Sequence, residues 1–178
     1  MAFHHVSLAT RDLSATHRFY TELMDFKLAK VQCGPTPGGT GWSRLVFYDT
    51  GGDGMISFWD LHDDIIGSAY QTDLSSSLGL PAWVNHIAFD APTLDHLERH
   101  KQRWRESGIN VAQLDWGFSV SIYAVDPNGI VVEFSHTPGS FATAEDRASA
   151  PERLASEQPS FDPLPKSEFF PAVPSLQR

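Results

Sequence analysis

The chain has 178 residues, 41% of them apolar, with 12 Phe and 5 Trp, enough for one domain or two small fused halves with a real core. A net charge of −9, from 13 basic and 22 acidic residues, argues against nucleic acid and anionic membrane as partners. No run approaches the roughly 20 apolar residues of a membrane span, no signal peptide is expected ahead of the first strand, and the lone Cys33 fits a reducing cytoplasm.

Phe3 to Thr10 alternates as a strand. His4, Val6 and Leu8 share a face that a helix should cover, and His5, Ser7 and Ala9 look the other way, into a cavity. Asp12 is a suitable N-cap for a helix to about Met24, with Leu13, Thr16, Phe19 or Tyr20 and Leu23 as its buried stripe. Strands follow at Phe26 to Val31, Arg44 to Tyr48 and Met55 to Leu61, with a Pro- and Gly-rich loop at 34–41 and a hairpin turn at 50–54. Residues 63–82 read as a linker holding one short helical turn.

Trp83 to Asp90 then repeats the opening, His86-Ile87-Ala88-Phe89 answering His5-Val6-Ser7-Leu8 in type. Thr93 or Asp90 caps a second helix with Leu94, Leu97, Lys101 and Trp104 on its stripe, and Gly108 stops it. A strand at Ile109 to Leu114 precedes a hairpin whose turn is Asp126-Pro127-Asn128-Gly129, with Pro fixing φ and Gly free to take φ > 0. Gly129-Ile130-Val131-Val132-Glu133 answers Gly54-Met55-Ile56-Ser57-Phe58. The expected fold is therefore α+β: two βαβββ modules, 1–62 and 83–136, that pair side by side into a cupped mixed sheet. Residues 137–178 form an extension holding seven of the twelve prolines, with a helical piece near 144–157 and a tail whose Phe161, Phe169 and Phe170 suggest contact with the body or a partner.

Glu133 is a carboxylate inside an otherwise apolar strand, and burying it unpaired would cost several kcal/mol, so it wants a cation. His5 and His86 stand at repeat-equivalent points of matching strands. Two neutral imidazoles and one carboxylate hold a divalent metal facially and leave positions open, as a catalytic metal requires. His17, His96 and His100 fall on helices and read as solvated surface; His62 and His136 follow strands and could line a pocket mouth. Trp42, Phe58, Trp116 and Phe118 are candidate walls for an apolar or aromatic ligand.

The repeat, His5 with Asp12-Leu13 and Phe19-Tyr20, His86 to Phe89, and Tyr123 through Glu133 together resemble the vicinal oxygen chelate superfamily over about residues 3 to 136. That group includes glyoxalase I, fosfomycin- and bleomycin-resistance proteins and type I extradiol dioxygenases. The resemblance implies a metal held by His5, His86 and Glu133, with Fe(II) first and Mn, Zn or Ni as alternatives. It also implies a small substrate chelating through vicinal oxygens, a hydrogen-bonding role for Tyr123, and a homodimer. Glyoxalase I carries a further carboxylate at the end of the first module, where this chain has Phe58. The dioxygenase signature fits Ile122-Tyr123, Asp126-Pro127, Gly129 and Glu133, but its histidine seven to nine residues before the Tyr is replaced by Leu114, Asp115 and Trp116. Asp115, His62 or His136 would have to supply that proton-transfer group. No Lys/Arg cluster suits a phosphonate. A ring-cleaving dioxygenase is the leading expectation, a lyase or isomerase on the same metal the second, and a ligand-sequestering module without catalysis the third.

Overall fold

The computed structural model describes residues 3–52, 54–158 and 160–174; Asp53 of the expected 50–54 turn, Pro159 and the last four tail residues lie outside them. The strands are β1 (His5–Thr10), β2 (Lys27–Pro35), β3 (Gly41–Asp49), β4 (Met55–Asp63), β5 (His86–Asp90), β6 (Val111–Asp115), β7 (Val120–Val125), β8 (Val131–His136) and β9 (Lys166–Phe170). The α-helices are α1 (Leu13–Arg18), α2 (Leu94–Glu106) and α3 (Ala144–Ala155). One sheet runs β1-β4-β3-β2 and the other β5-β8-β7-β6-β9. The βαβββ order of each module is as expected, and the strands are divided between these two sheets. The chain falls into two compact units, Met1–Phe89 with Ala124–Val132, and Asp90–Tyr123 with Glu133–Arg178.

In the first unit β1 runs parallel to β4, and β3 is antiparallel to both β4 and β2. Asp12 caps α1 by accepting from the Ala15 amide at 2.8 Å. The expected single helix to Met24 instead ends in a wide π turn, Phe19–Leu23, closed by Met24 N donating to Phe19 O. The reason is packing. Phe19, Tyr20 and Met24 are all buried, and the widened turn brings these three large side chains onto the sheet together. Tyr20 lies against Phe58, ring centroids 4.7 Å apart. Leu13 and Leu23 of the expected stripe are only half-buried.

The 34–41 loop is held by Asp63, which accepts from the Thr36 hydroxyl, from Thr40 at 2.7 Å and from the amides of Ile65 and Ile66. These donors lower its pKa to about 2. At the loop's end β3 and β4 approach so closely that a Cβ on Gly41 would sit 2.0 Å from the His62 carbonyl oxygen. Gly41→Ala must part the two strands, and should cost about 1–3 kcal/mol of stability by urea unfolding. A variant as stable as the parent would contradict that close approach.

The turn at Asp126 belongs to this first unit. Asp126 accepts from Tyr20 Oη at 3.0 Å, from the amides of Asn128 and Ile130 at 2.8 Å each, and from Asn128 Nδ2 at 3.0 Å. Burial pushes its pKa up in spite of these donors. Gly129 takes φ 81°, as the turn type requires.

In the second unit Thr93 caps α2, and Leu97, His100 and Trp104 are buried on it beside Phe134 of β8, the His100 and Phe134 rings 4.1 Å apart. His100 was expected in solvent; it is 2% exposed, and Leu94, expected on the stripe, is exposed. His96 is half-buried, its Nε2 3.1 Å from that of His100. Gly108 ends the helix at φ 84°. In the extension α3 starts on a capping box between Thr143 and Asp146 and buries no residue. The expected contact of the tail with the body is made by β9, which pairs antiparallel with β6. Phe170 lies under Lys101 Nζ at 4.2 Å, and Val173 N donates to Arg105 O at 2.8 Å. Phe161 stays almost fully exposed.

Candidate functional site

Strand register assigns each candidate side chain to a face. His5 stands opposite Met55, Ser7 opposite Ser57, and Phe47 opposite Ser57 from the other side. His5, Ser7, Ser57 and Phe47 therefore share the face away from α1, as alternation predicted. The Ser7 and Ser57 hydroxyls are 2.6 Å apart, and the Phe47 ring meets His5 edge-on at 5.7 Å. His5 is exposed, and His4 does not lie under the helix as expected: it is exposed as well, its Nδ1 2.5 Å from that of His5.

His86 is the first residue of β5, exposed, with Nδ1 3.0 Å from the Trp83 carbonyl oxygen. A carbonyl only accepts, so Nδ1 carries the proton and the ring's lone pair resides on Nε2. Donation from one ring nitrogen to a carbonyl is how metal-binding histidines are oriented.

Glu133 lies in the middle of β8 and is 7% exposed. Ser121 and Ser135 of the same unit hydrogen-bond across the β7–β8 pair at 2.9 Å, which defines one face. Tyr123 shares that face and hydrogen-bonds with Glu133, Ser121 and Trp116. Burial first, and then the Glu133 charge, raise the Tyr123 pKa, so its phenol holds its proton as a donor. Glu133 thus faces hydroxyls, and the adjacent Phe134 packs on His100 and Trp104 of α2, as the alternation of β8 required.

The face assignment corrects the proposed correspondence between modules. Phe58 is fully buried on the α1 side, the side equivalent to Phe134. The residue whose face matches that of Glu133 is Ser57. The first module still offers no carboxylate there.

Other candidates are redistributed. His62 lies on the α1 side of β4, its Nε2 3.1 Å from Asp60 and its ring stacked on Trp42 at 3.9 Å, so it does not share the His5 face. Trp42 and Phe58 likewise do not wall that face. His136 Nδ1 is 2.8 Å from the Ala91 carbonyl. Asp115 accepts from the Gly117 amide at 2.9 Å and closes the turn that holds the exposed Trp116 and Phe118. Sequence reasoning missed the row of Trp42, Arg44 and Tyr48 facing His62, Asp60 and Ile56. The signal was there: counting outward from the 50–54 turn pairs Arg44 with Asp60.

Among the described residues of one chain, no three His, Cys, Asp or Glu side chains converge closely enough to hold a metal. The donor chemistry nevertheless suits one. His86 has its lone pair on Nε2, and Glu133 is a nearly buried carboxyl group beside a phenol. His5 and His86 each open the outermost strand of their sheet.

The family model for the Glyoxalase/Bleomycin resistance protein/Dioxygenase superfamily matches residues 2–134. Comparison with curated proteins gives no match. Among solved structures, a glyoxylase/bleomycin resistance protein/dioxygenase domain from Frankia sp. EAN1pec is 20% identical, with a TM-score of 0.60 over 77% of this chain and 91% of that one. A glyoxalase/dioxygenase from Nostoc punctiforme is 17% identical, with a TM-score of 0.54 over 76% and 90%. The fosfomycin resistance protein FosX from Listeria monocytogenes is 19% identical, with a TM-score of 0.52 over 80% and 94%. At these identities the likeness is one of fold.

Proposed function

This chain belongs to the Glyoxalase/Bleomycin resistance protein/Dioxygenase superfamily, and from that premise we propose that it is a cytoplasmic, homodimeric, mononuclear metal enzyme. Its ligands are His5, His86 and Glu133, its metal is Fe(II), and its substrate is a small aromatic compound with two vicinal oxygens, which it cleaves oxidatively. The observation that carries this reading is the pairing of Glu133 with Tyr123 on one sheet face, opposite in character to the core face beneath it. A nearly buried carboxylate on that face is the anionic donor that a divalent metal takes beside two neutral imidazoles.

A bound divalent metal would supply charge neutralisation and positions for a chelating substrate. The chain's own groups do the rest. His86 is oriented through Nδ1, and Glu133 is fixed by the Tyr123 phenol. Tyr123, holding its proton, has one O–H to donate, to the Glu133 carboxylate or, once a cation engages that carboxylate, to a substrate oxygen. By strand alternation His136, whose Nδ1 meets the Ala91 carbonyl, falls on the face opposite Glu133 and Ser135, and His62 lies on the α1 side of its sheet, so neither shares the face of its module's ligand.

We place the complete site between two copies. β1 and β5 are outer strands with an outward hydrogen-bonding ladder to offer, and each begins with a ligand histidine. A lyase or isomerase on the same metal is the second reading. Three-ligand coordination favours the first, since neither Ser57 nor Trp59, on the face of the first module that matches Glu133, can supply a fourth carboxylate.

The test is elemental analysis of protein purified without oxygen, followed by O₂ uptake with catechols. About one iron per chain and catechol-dependent uptake are expected. Stoichiometric zinc or nickel without O₂ uptake would replace the dioxygenase by the lyase. No bound metal, with ligand affinity unchanged in His86→Ala, would leave only a binding module.

A further inference from the structure

We propose that the α1 side of the first sheet carries a second small-molecule site, one that takes an amphipathic monocarboxylate. The site is a cavity of about 370 Å³ between α1 and the β2–β3 face. It is on the opposite face of the sheet from His5, so it is independent of the metal site.

The cavity exists because the helical segment is too short for its sheet. Tyr20 lies on Phe58 of β4 and Tyr48 of β3, while the residues of β2 remain nearly all exposed. The pairing of β2 with β3 then slips between Leu28 and Lys30, which sets Leu28 opposite Tyr48 and Val31 opposite Val46. Without the slip, residues three apart would point to opposite faces. With it, both turn into the cavity, and they remain 48% and 47% exposed. Leu13 and Val46 complete an apolar wall.

The polar groups stand at defined places on this wall. Tyr48, fully buried, has its hydroxyl 3.1 Å from His17 Nδ1. Arg44 gives Nε and Nη2 to Asp60, two of its five donors, and its guanidinium lies over the Trp42 ring. Asp60 is also approached by His62. Arg44 thus keeps further donors beyond the two it gives to Asp60, and no carboxylate lines the cavity. In a chain of net charge −9 this is a locally anion-accepting spot. Its volume, at the small end of ligand pockets, suits an apolar body of about a dozen heavy atoms. The carboxylate would meet Arg44, whose planar fork matches it.

Decanoate is the probe and decanol its uncharged control. Cys33, the only cysteine, stands opposite Arg44 in the strand register and reports occupancy through its alkylation rate. One decanoate should bind per chain by calorimetry and slow Cys33 alkylation at least tenfold; decanol should bind at least tenfold more weakly. Val31→Trp should fill the cavity and abolish decanoate binding. Arg44→Gln should weaken decanoate at least tenfold and leave decanol unchanged. The proposal is overturned if decanoate and decanol bind alike, or if Val31→Trp binds decanoate as the parent does. It is overturned too if Cys33 is already shielded without ligand in a form that light scattering shows to be associated through this face. Metal content and O₂ uptake of the parent are read separately, so either reading can fail without the other.

Discussion

Glu133→Gln should strip the protein of stoichiometric divalent metal and lower turnover at least ~100-fold, a loss of about 2.7 kcal/mol in transition-state stabilisation. Glutamine keeps the size of the side chain and can still accept from the Tyr123 phenol, so the sheet face should survive, as a circular-dichroism melt would record. What goes is the negative charge. A divalent ion held by neutral imidazoles alone would lose its one anionic donor. Tyr123→Phe separates the roles: metal content should stay near one per chain while turnover falls by about 10–100-fold, the usual scale for a lost hydrogen bond in or beside a metal site. Placement of the site between copies adds a sharper test. His5→Ala and Glu133→Gln, each inactive alone, should regain activity when mixed and allowed to exchange subunits. A hybrid dimer then holds one site in which both residues are intact. No recovery on mixing would locate the three ligands within one chain; full metal binding by Glu133→Gln would remove the site altogether.

The faces of His5 and Glu133 were legible in the sequence because strand alternation has a period of two. β1 and β8 are regular, so His5 and Glu133 lie on the sides that alternation assigned. β2 is not, and the slip after Leu28 creates a cavity that no period-two count could reveal. Helices were read less well. His100 is polar by type, yet it stands one helical turn from both His96 and Trp104, four residues away on either side, and lies over Phe134. Hydrophobic patterning underrates an imidazole that can hydrogen-bond its helical neighbour. The match between Glu133 and Phe58 failed for a related reason: aligning on glycines fixes the count along the chain, whereas function depends on the face, and β4 and β8 are offset by one. The interaction of the Asp126 turn with Tyr20 links residues more than a hundred positions apart and left no local signal.

That turn yields the largest stability effect expected. Asp126→Ala should destabilise the protein by about 3–5 kcal/mol, the cost of leaving several buried donors without their acceptor at roughly 1–3 kcal/mol each, less the desolvation that the carboxylate no longer suffers. Tyr20, fully buried, would lose its partner, and the Asn128 and Ile130 amides would lose the side chain that folds the turn. Asn128 would keep its bond to Thr16, at 3.2 Å, but nothing would hold it beside the turn. Asp126→Asn keeps one acceptor and turns an amide group toward donors, so its deficit should be smaller. The two variants differ in a second way. Burial raises the Asp126 pKa in the folded chain, so the acid form is favoured by folding. Its contribution is fullest below the unfolded value near 4 and declines as pH rises through the higher folded value. Urea unfolding at several pH values should therefore show the gap between parent and Asp126→Asn shrinking from pH 4 toward pH 7. A gap that widened with pH would mean that the carboxylate is stabilised rather than strained by its surroundings. The turn also sets the pairing of β7 with β8, and a slip of one residue there would carry Glu133 from the hydroxyl-lined face to the core face. Turnover in Asp126→Ala should accordingly fall well below 25 °C stability limits alone, and metal content with it, although Asp126 touches neither metal nor substrate.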